Sequence, residues 1–147
     1  MTFWDAATRD EICRRVERLN VDTTPRWGRF NAARMLAHLN DAMRMALGEL
    51  PVAPKHTPLR RPLIKQLVIY VAPWPKSAPT APELIARCDG AQFGEERAAF
   101  VPIVERLAAK PTTGPWPEHP AFGTMTRRAW GVLLARHIDH HFKQFGV

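Results

Sequence analysis

An all-α fold follows from three features of the sequence. Four segments repeat apolar residues at spacings of three and four, the period of a helix with one buried face. No stretch alternates apolar and polar residues over a length useful for a strand. Eight prolines, at 51, 54, 58, 62, 73, 75, 79 and 82, fall in one stretch. Proline fixes φ and lacks an amide N–H, so that stretch is a long excursion and not one regular element.

The first helix is expected from about Asp5 to Leu19, with Ile12, Val16 and Leu19 on its inner stripe and Asn20, Asp22 and Pro25 ending it. The second opens at Asn31, a good N-cap residue, and runs until Pro51 stops it. Within the proline-rich excursion, residues 62–71 read as a short helix with proline in its first turn, although the β-branched end of the segment would also suit a strand. The third main helix is expected over Ala91 to Ala109, with Phe93, Phe100, Ile103, Val104 and Leu107 inward and Pro102 forcing a kink or restart. Thr126 caps the last helix, whose apolar stripe is Trp130, Leu133, Leu134 and Phe145, and Gly146 supplies its stop.

The 147 residues, 46% of them hydrophobic and 24% charged, suit one domain over 1–147 that buries its own core. The N-terminus lacks the apolar core of a signal peptide, and Cys13 and Cys88 match neither a redox pair nor a zinc ribbon. Free thiols in the cytoplasm are the expectation. The longest apolar run, 67–72, is far short of a membrane span, so no membrane partner is expected. The formal charge of +7 raises the question of nucleic acid, but the basic residues are dispersed, often in pairs, without a recognition-helix or aromatic–basic signature. A solvated basic surface is the expected reading, and nucleic acid is not the expected partner.

The chemistry-bearing residues are histidines. At about 100° per residue, His141 lies about 40° from His137 around the helix, Gln144 about 20°, and His140 about 60° the other way. Trp130 and the two leucines share that face, so the polar group continues the apolar one and points to the core. Several buried imidazoles on one face each need partners, and one metal ion satisfies them together. The third ligand must come from another helix, and His38, in the apolar middle of the second, is the candidate. Asp41, one turn on, is placed to accept the second N–H of His38; His140 and Gln144 are further neighbours of the ligand set. His56 and His119 sit in proline-rich loops and are poorer candidates.

The segments MLAHLNDAM at 35–43 and HIDHHFKQFG at 137–146 resemble the DinB/YfiT-like superfamily of helical metal-dependent enzymes. The likeness covers nearly the whole chain, including KSAPTAPE at 76–83 and HPAFGTMTRRAWG at 119–131. It implies a four-helix bundle with a long crossover and a divalent metal on His38, His137 and His141. Homodimers are common in that superfamily. Phe142-Lys143 stands before Gln144 where the family's common form has Arg-Gly, which leaves the pocket rim, and hence the substrate, open.

Three neutral imidazoles leave a coordination position open, the arrangement of a catalytic site. Zinc or nickel is expected there; iron and manganese are also compatible. The expected activity is that of a hydrolase or thiol transferase acting on a small-molecule substrate, with bound water or a low-molecular-weight thiol activated at the metal. Asp41, Glu118 and His140 are the candidates for a general base. The alternative is a non-catalytic helical module whose basic surface binds an anionic partner; such binding would survive loss of the histidines and fall steeply with salt.

Overall fold

The computed structural model describes residues 1–76, 85 and 90–147. In chain order the helices are α1 (Ala6–Glu17), α2 (Ala32–Leu47), the 3-10 turn η1 (Pro58–Arg60), α3 (Pro62–Tyr70), α4 (Phe93–Ala108) and α5 (Arg127–Phe145). No strand forms among the described residues; His119 and Gly123 make one isolated antiparallel bridge. The all-helical expectation holds. Cys13 is free, whereas Cys88 and all but the first residue of KSAPTAPE lie outside the described residues.

Local chemistry sets the helix ends. The Asn31 side chain accepts from the Arg34 amide at 2.8 Å and Thr126 from that of Ala129 at 3.1 Å, each satisfying an orphan donor of a first turn. α2 stops at Gly48, whose φ of +83° closes a left-handed cap, three residues before the proline expected to end it. Gly146 ends α5 in the same way at φ +75°. α1 and α4 are each shorter than expected at both ends. No restart occurs at Pro102: α4 runs through it, because Pro102 and Ala98, whose carbonyl loses its partner, both lie on the exposed side where water can serve it.

The four long helices pack in a ring: α1 meets α4 and α5, and α2 meets the same two, while Phe100 of α4 and Phe142 of α5 meet across one diagonal with ring centroids 5.9 Å apart. α3 lies against α5 as a fifth member. Met35 through Met43 of α2 are buried without a break, so α2 is packed all round, and its three middle polar residues must be satisfied inside the protein. The inner face of α5, with Trp130, Leu134, Ile138 and Phe142, completes the core with Phe100, Ile103 and Leu107 of α4. Phe93, expected inward, is only half-buried at the start of α4. The N-terminal segment crosses α5 at Gly131, where any Cβ would meet Trp4 Nε1 at 2.2 Å and the Gly131 carbonyl accepts from the Phe3 amide at 2.9 Å.

The proline-rich crossover is held by side chains and not by repeat structure. Arg60 donates to the carbonyls of Lys55 (2.7 Å) and Pro120 (3.1 Å), Thr57 to that of Ala121 (2.9 Å) and Lys65 to that of Thr124 (2.8 Å). Arg136 of α5 donates to the Val68, Ile69 and Ala72 carbonyls, capping the end of α3 and fixing the chain that follows it. Limited proteolysis should therefore cut first within 51–57 or 111–115, which lack helical hydrogen bonds and are largely exposed. First cuts inside 32–47, mapped by mass spectrometry, would contradict this packing.

Candidate metal centre

α2 and α5 bring three imidazoles together. The ring centroids of His38, His137 and His141 lie 4.8 Å, 4.9 Å and 4.9 Å apart, a nearly equilateral triangle. One nitrogen of each can be chosen so that all lie within 4.8 Å of one another. The closest pair is His38 Nε2 and His137 Nε2 at 2.9 Å. His38 is buried, and His137 and His141 are half-buried. A tetrahedral ion about 2.0–2.1 Å from each nitrogen needs them about 3.3 Å apart, between the closest pair and the outer limit. The three histidines can thus hold a metal ion with small side-chain adjustments.

Electrostatics favour the neutral, ligating form. Burial first, then the nearby His141, pushes His38 down to about 3. His141 falls to about 4, again by burial first, against the opposing effect of the hydrogen bond it donates to Gln144. His137 is held well below the ordinary histidine range by burial and by the neighbouring imidazoles. At neutral pH all three present lone pairs and lose no proton on binding.

The tautomer of His141 follows from its neighbours. The Gln144 amide nitrogen donates to the Trp27 carbonyl at 2.7 Å, so Gln144 Oε1 is the atom 2.8 Å from His141 Nδ1. A carbonyl oxygen only accepts, so Nδ1 carries the proton and Nε2 the lone pair. The Arg26 amide also donates to the Gln144 backbone carbonyl at 2.7 Å, laying residues 26–28 along the end of α5. Gly28 makes this approach possible: its φ is +79°, and a Cβ there would stand 2.7 Å from Gln144 Nε2. Gln144→Leu should lower metal affinity about 10- to 100-fold in a chelator competition while the helical circular dichroism persists. An unchanged affinity would remove Gln144 from the site.

His38 is less well served. Its Nδ1 is buried without a hydrogen-bond partner among the described residues. The expectation that Asp41 would accept from it is corrected: the Asp41 carboxylate is paired with Arg44 at 3.1 Å, one turn further along α2. Glu118, a general-base candidate, is exposed and accepts from Thr124 at 3.0 Å. His140 instead stands edge-on to His141 at 5.3 Å, between Trp27 at 5.7 Å and Trp74 at 6.1 Å. Asp139 points to the far side of α5 and bridges Arg15 (2.8 Å) and Lys143 (2.7 Å).

With Trp27, two further aromatic residues from the loops, Phe30 and Trp74, complete the surroundings, and helical periodicity gave no sign of them. Phe30 stacks on His141 at 5.9 Å and tilts against His38 at 5.5 Å, and Trp74 lies 5.7 Å from His137. Trp74 is oriented by its own N–H donating to the Val68 carbonyl at 3.2 Å. His56 is exposed in the crossover. His119 packs on Trp130 at 5.4 Å and uses Nδ1 to accept from the amides of Ala121 (3.1 Å) and Phe122 (3.3 Å), a turn-forming role.

A helical bundle with a three-histidine cluster between two of its helices defines a class of candidate metal-binding helical proteins. The model of the DUF1569 family, described as proteins of unknown function, matches residues 4–146, and the chain belongs to that family. No curated protein and no solved structure matches it significantly.

Proposed function

We propose that the chain is a metal-dependent enzyme of the DinB/YfiT-like type, one domain over 1–147, with His38, His137 and His141 holding one divalent ion. The observation that carries this reading is the triangle itself: three neutral imidazoles from two helices, with donor atoms within 4.8 Å of one another. No structural role needs so many partly desolvated bases on one face. Zinc or nickel suits an all-imidazole set best, with iron or manganese as further candidates. Such an ion acts as a Lewis acid and lowers the pKa of a water or thiol bound to it, which supports hydrolysis or thiol transfer on a small molecule.

The chain's own residues supply the rest. Gln144 fixes the His141 tautomer, and Phe30 and Trp74 restrict the directions from which a substrate can approach. His140 is the proton acceptor in this reading. It lies against His141, and burial lowers its pKa, keeping it neutral and basic at pH 7.

Elemental analysis of protein purified without a histidine tag tests the reading. About one equivalent of zinc, nickel, iron or manganese per chain is expected after reconstitution with each ion separately. Less than a tenth of an equivalent with every ion would refute it.

A further inference from the structure

The three histidines are not held alike. Gln144 orients His141 by a hydrogen bond, and His38 is enclosed by the core. Among the described residues the ring of His137 has one hydrogen-bond contact, and that is with His38 itself. The last torsion of a histidine side chain has broad wells, so a packing partner decides which way the ring nitrogens face. For His137 that partner, beyond the other two histidines, is Trp74, whose ring lies 5.7 Å away with the two planes inclined by 38°.

Trp74 lies outside any helix, so contacts and not periodicity set its place. Its N–H donates to the Val68 carbonyl at 3.2 Å, and the Arg136 guanidinium lies 5.6 Å from its ring. Arg136 donates to the same Val68 carbonyl at 3.0 Å, to that of Ile69 at 2.6 Å and to that of Ala72. These carbonyls stand at the end of α3 and just beyond it, where helical partners run out. α3 has no basic residue in its own last turn, and α5 supplies the cation that its negative end attracts. Arg136 immediately precedes His137, and the two side chains leave α5 about 100° apart. One therefore reaches α3 while the other meets His38 of α2.

We infer that Arg136 is a positioning residue of the metal centre: it fixes the end of α3 and the Trp74 ring, and through Trp74 it sets the orientation of the ligand His137. The inference rests on the metal-centre reading for the role of His137, but the contacts from Arg136 to Trp74 and from Trp74 to His137 stand without an ion. A planar guanidinium serves several carbonyls and lies against a ring at once, whereas a lysine ammonium is a single compact centre. Arg136→Lys should therefore not restore what Arg136→Met loses.

Cobalt-reconstituted protein provides the test, because the visible bands of cobalt(II) report ligand geometry and an excess of chelator reports the rate of release. Arg136→Met and Trp74→Ala should each release cobalt about 10-fold faster than wild type and shift the visible bands, the scale on which loss of a ligand-supporting contact acts. The double variant should be no more than about twice as fast as the faster single one, since both residues lie on one chain of contacts. Effects that multiply to about 100-fold would overturn the route through Trp74. A wild-type rate and spectrum in Arg136→Met with its helical circular dichroism intact would overturn the role of Arg136. Should Arg136→Met not fold, Arg136→Lys is held to the same faster release and shifted bands. Failure to take up cobalt would count against the metal centre, and the His137 ring-proton resonances of metal-free protein, assigned by their loss in His137→Ala, would then decide this inference. They should move in Arg136→Met as well as in Trp74→Ala, because the Trp74 ring current acts on them. Movement in Trp74→Ala alone would overturn it.

Discussion

His38→Ala, His137→Ala and His141→Ala should each weaken divalent-metal binding by well over 100-fold. Each removes one of three nitrogens gathered within 4.8 Å, whereas loss of a residue that only orients a ligand costs about 10- to 100-fold. His140→Ala should be milder, since its ring sits beside His141 between two tryptophans and outside the triangle. His56→Ala should leave affinity near wild type. His119→Ala should also bind metal normally but lose about 1–3 kcal/mol of stability, because the Ala121 and Phe122 amides lose their acceptor. Competition against a chelator ranks the six variants, with circular dichroism confirming the fold of each. Equal damage from His140→Ala and His141→Ala, or normal binding by His38→Ala, would show the ligand set to be wrong.

The metal-free protein should lose stability steeply between pH 6.5 and about 4. His38 and His119, at about 3 and about 4, and His141, at about 4, are neutral in the folded protein, while an unfolded histidine takes a proton near 6.5. Above 6.5 both states are neutral and these groups make stability independent of pH. As pH falls through the window the unfolded chain binds more protons than the folded one, so unfolding is favoured by up to about 1.4 kcal/mol per pH unit for each group. The urea midpoint should therefore fall with a slope of more than one proton between pH 6.5 and 4.5, above the range where carboxylates dominate. Saturating metal should shift the loss to lower pH, because bound imidazoles resist protonation. A flat midpoint over that interval would mean that the histidines are solvated and the cluster is not buried.

The readable parts of the sequence were those whose signals are local. Asn31 and Thr126 cap their helices, Gly146 ends α5, and the i, i+4 spacing of His137 and His141 turns both toward α2. His38 was legible because a lone histidine in the apolar middle of a helix wants a polar partner, and the facing helix offers two. Asp41 misled because helical spacing states which turn a side chain occupies but not which neighbour claims it, and Arg44 lies as near as His38. The end of α2 was misplaced because a left-handed glycine closes a helix as firmly as a following proline.

Trp27, Phe30 and Trp74 were illegible for a different reason. They lie in irregular chain whose path is set by distant groups: the Gln144 amide draws residues 26–28 onto α5, and Arg136 gathers the carbonyls at the end of α3. Neither contact has a periodicity.

X-ray absorption at the metal edge of the zinc-reconstituted protein tests the central claim most directly. The account predicts three imidazole nitrogens at about 2.0–2.1 Å with the multiple-scattering pattern of histidine, and one further light-atom ligand. The outer-shell imidazole signal should be reduced in His38→Ala. A shell of oxygens without imidazole scattering, or a spectrum unchanged by His38→Ala, would contradict the account.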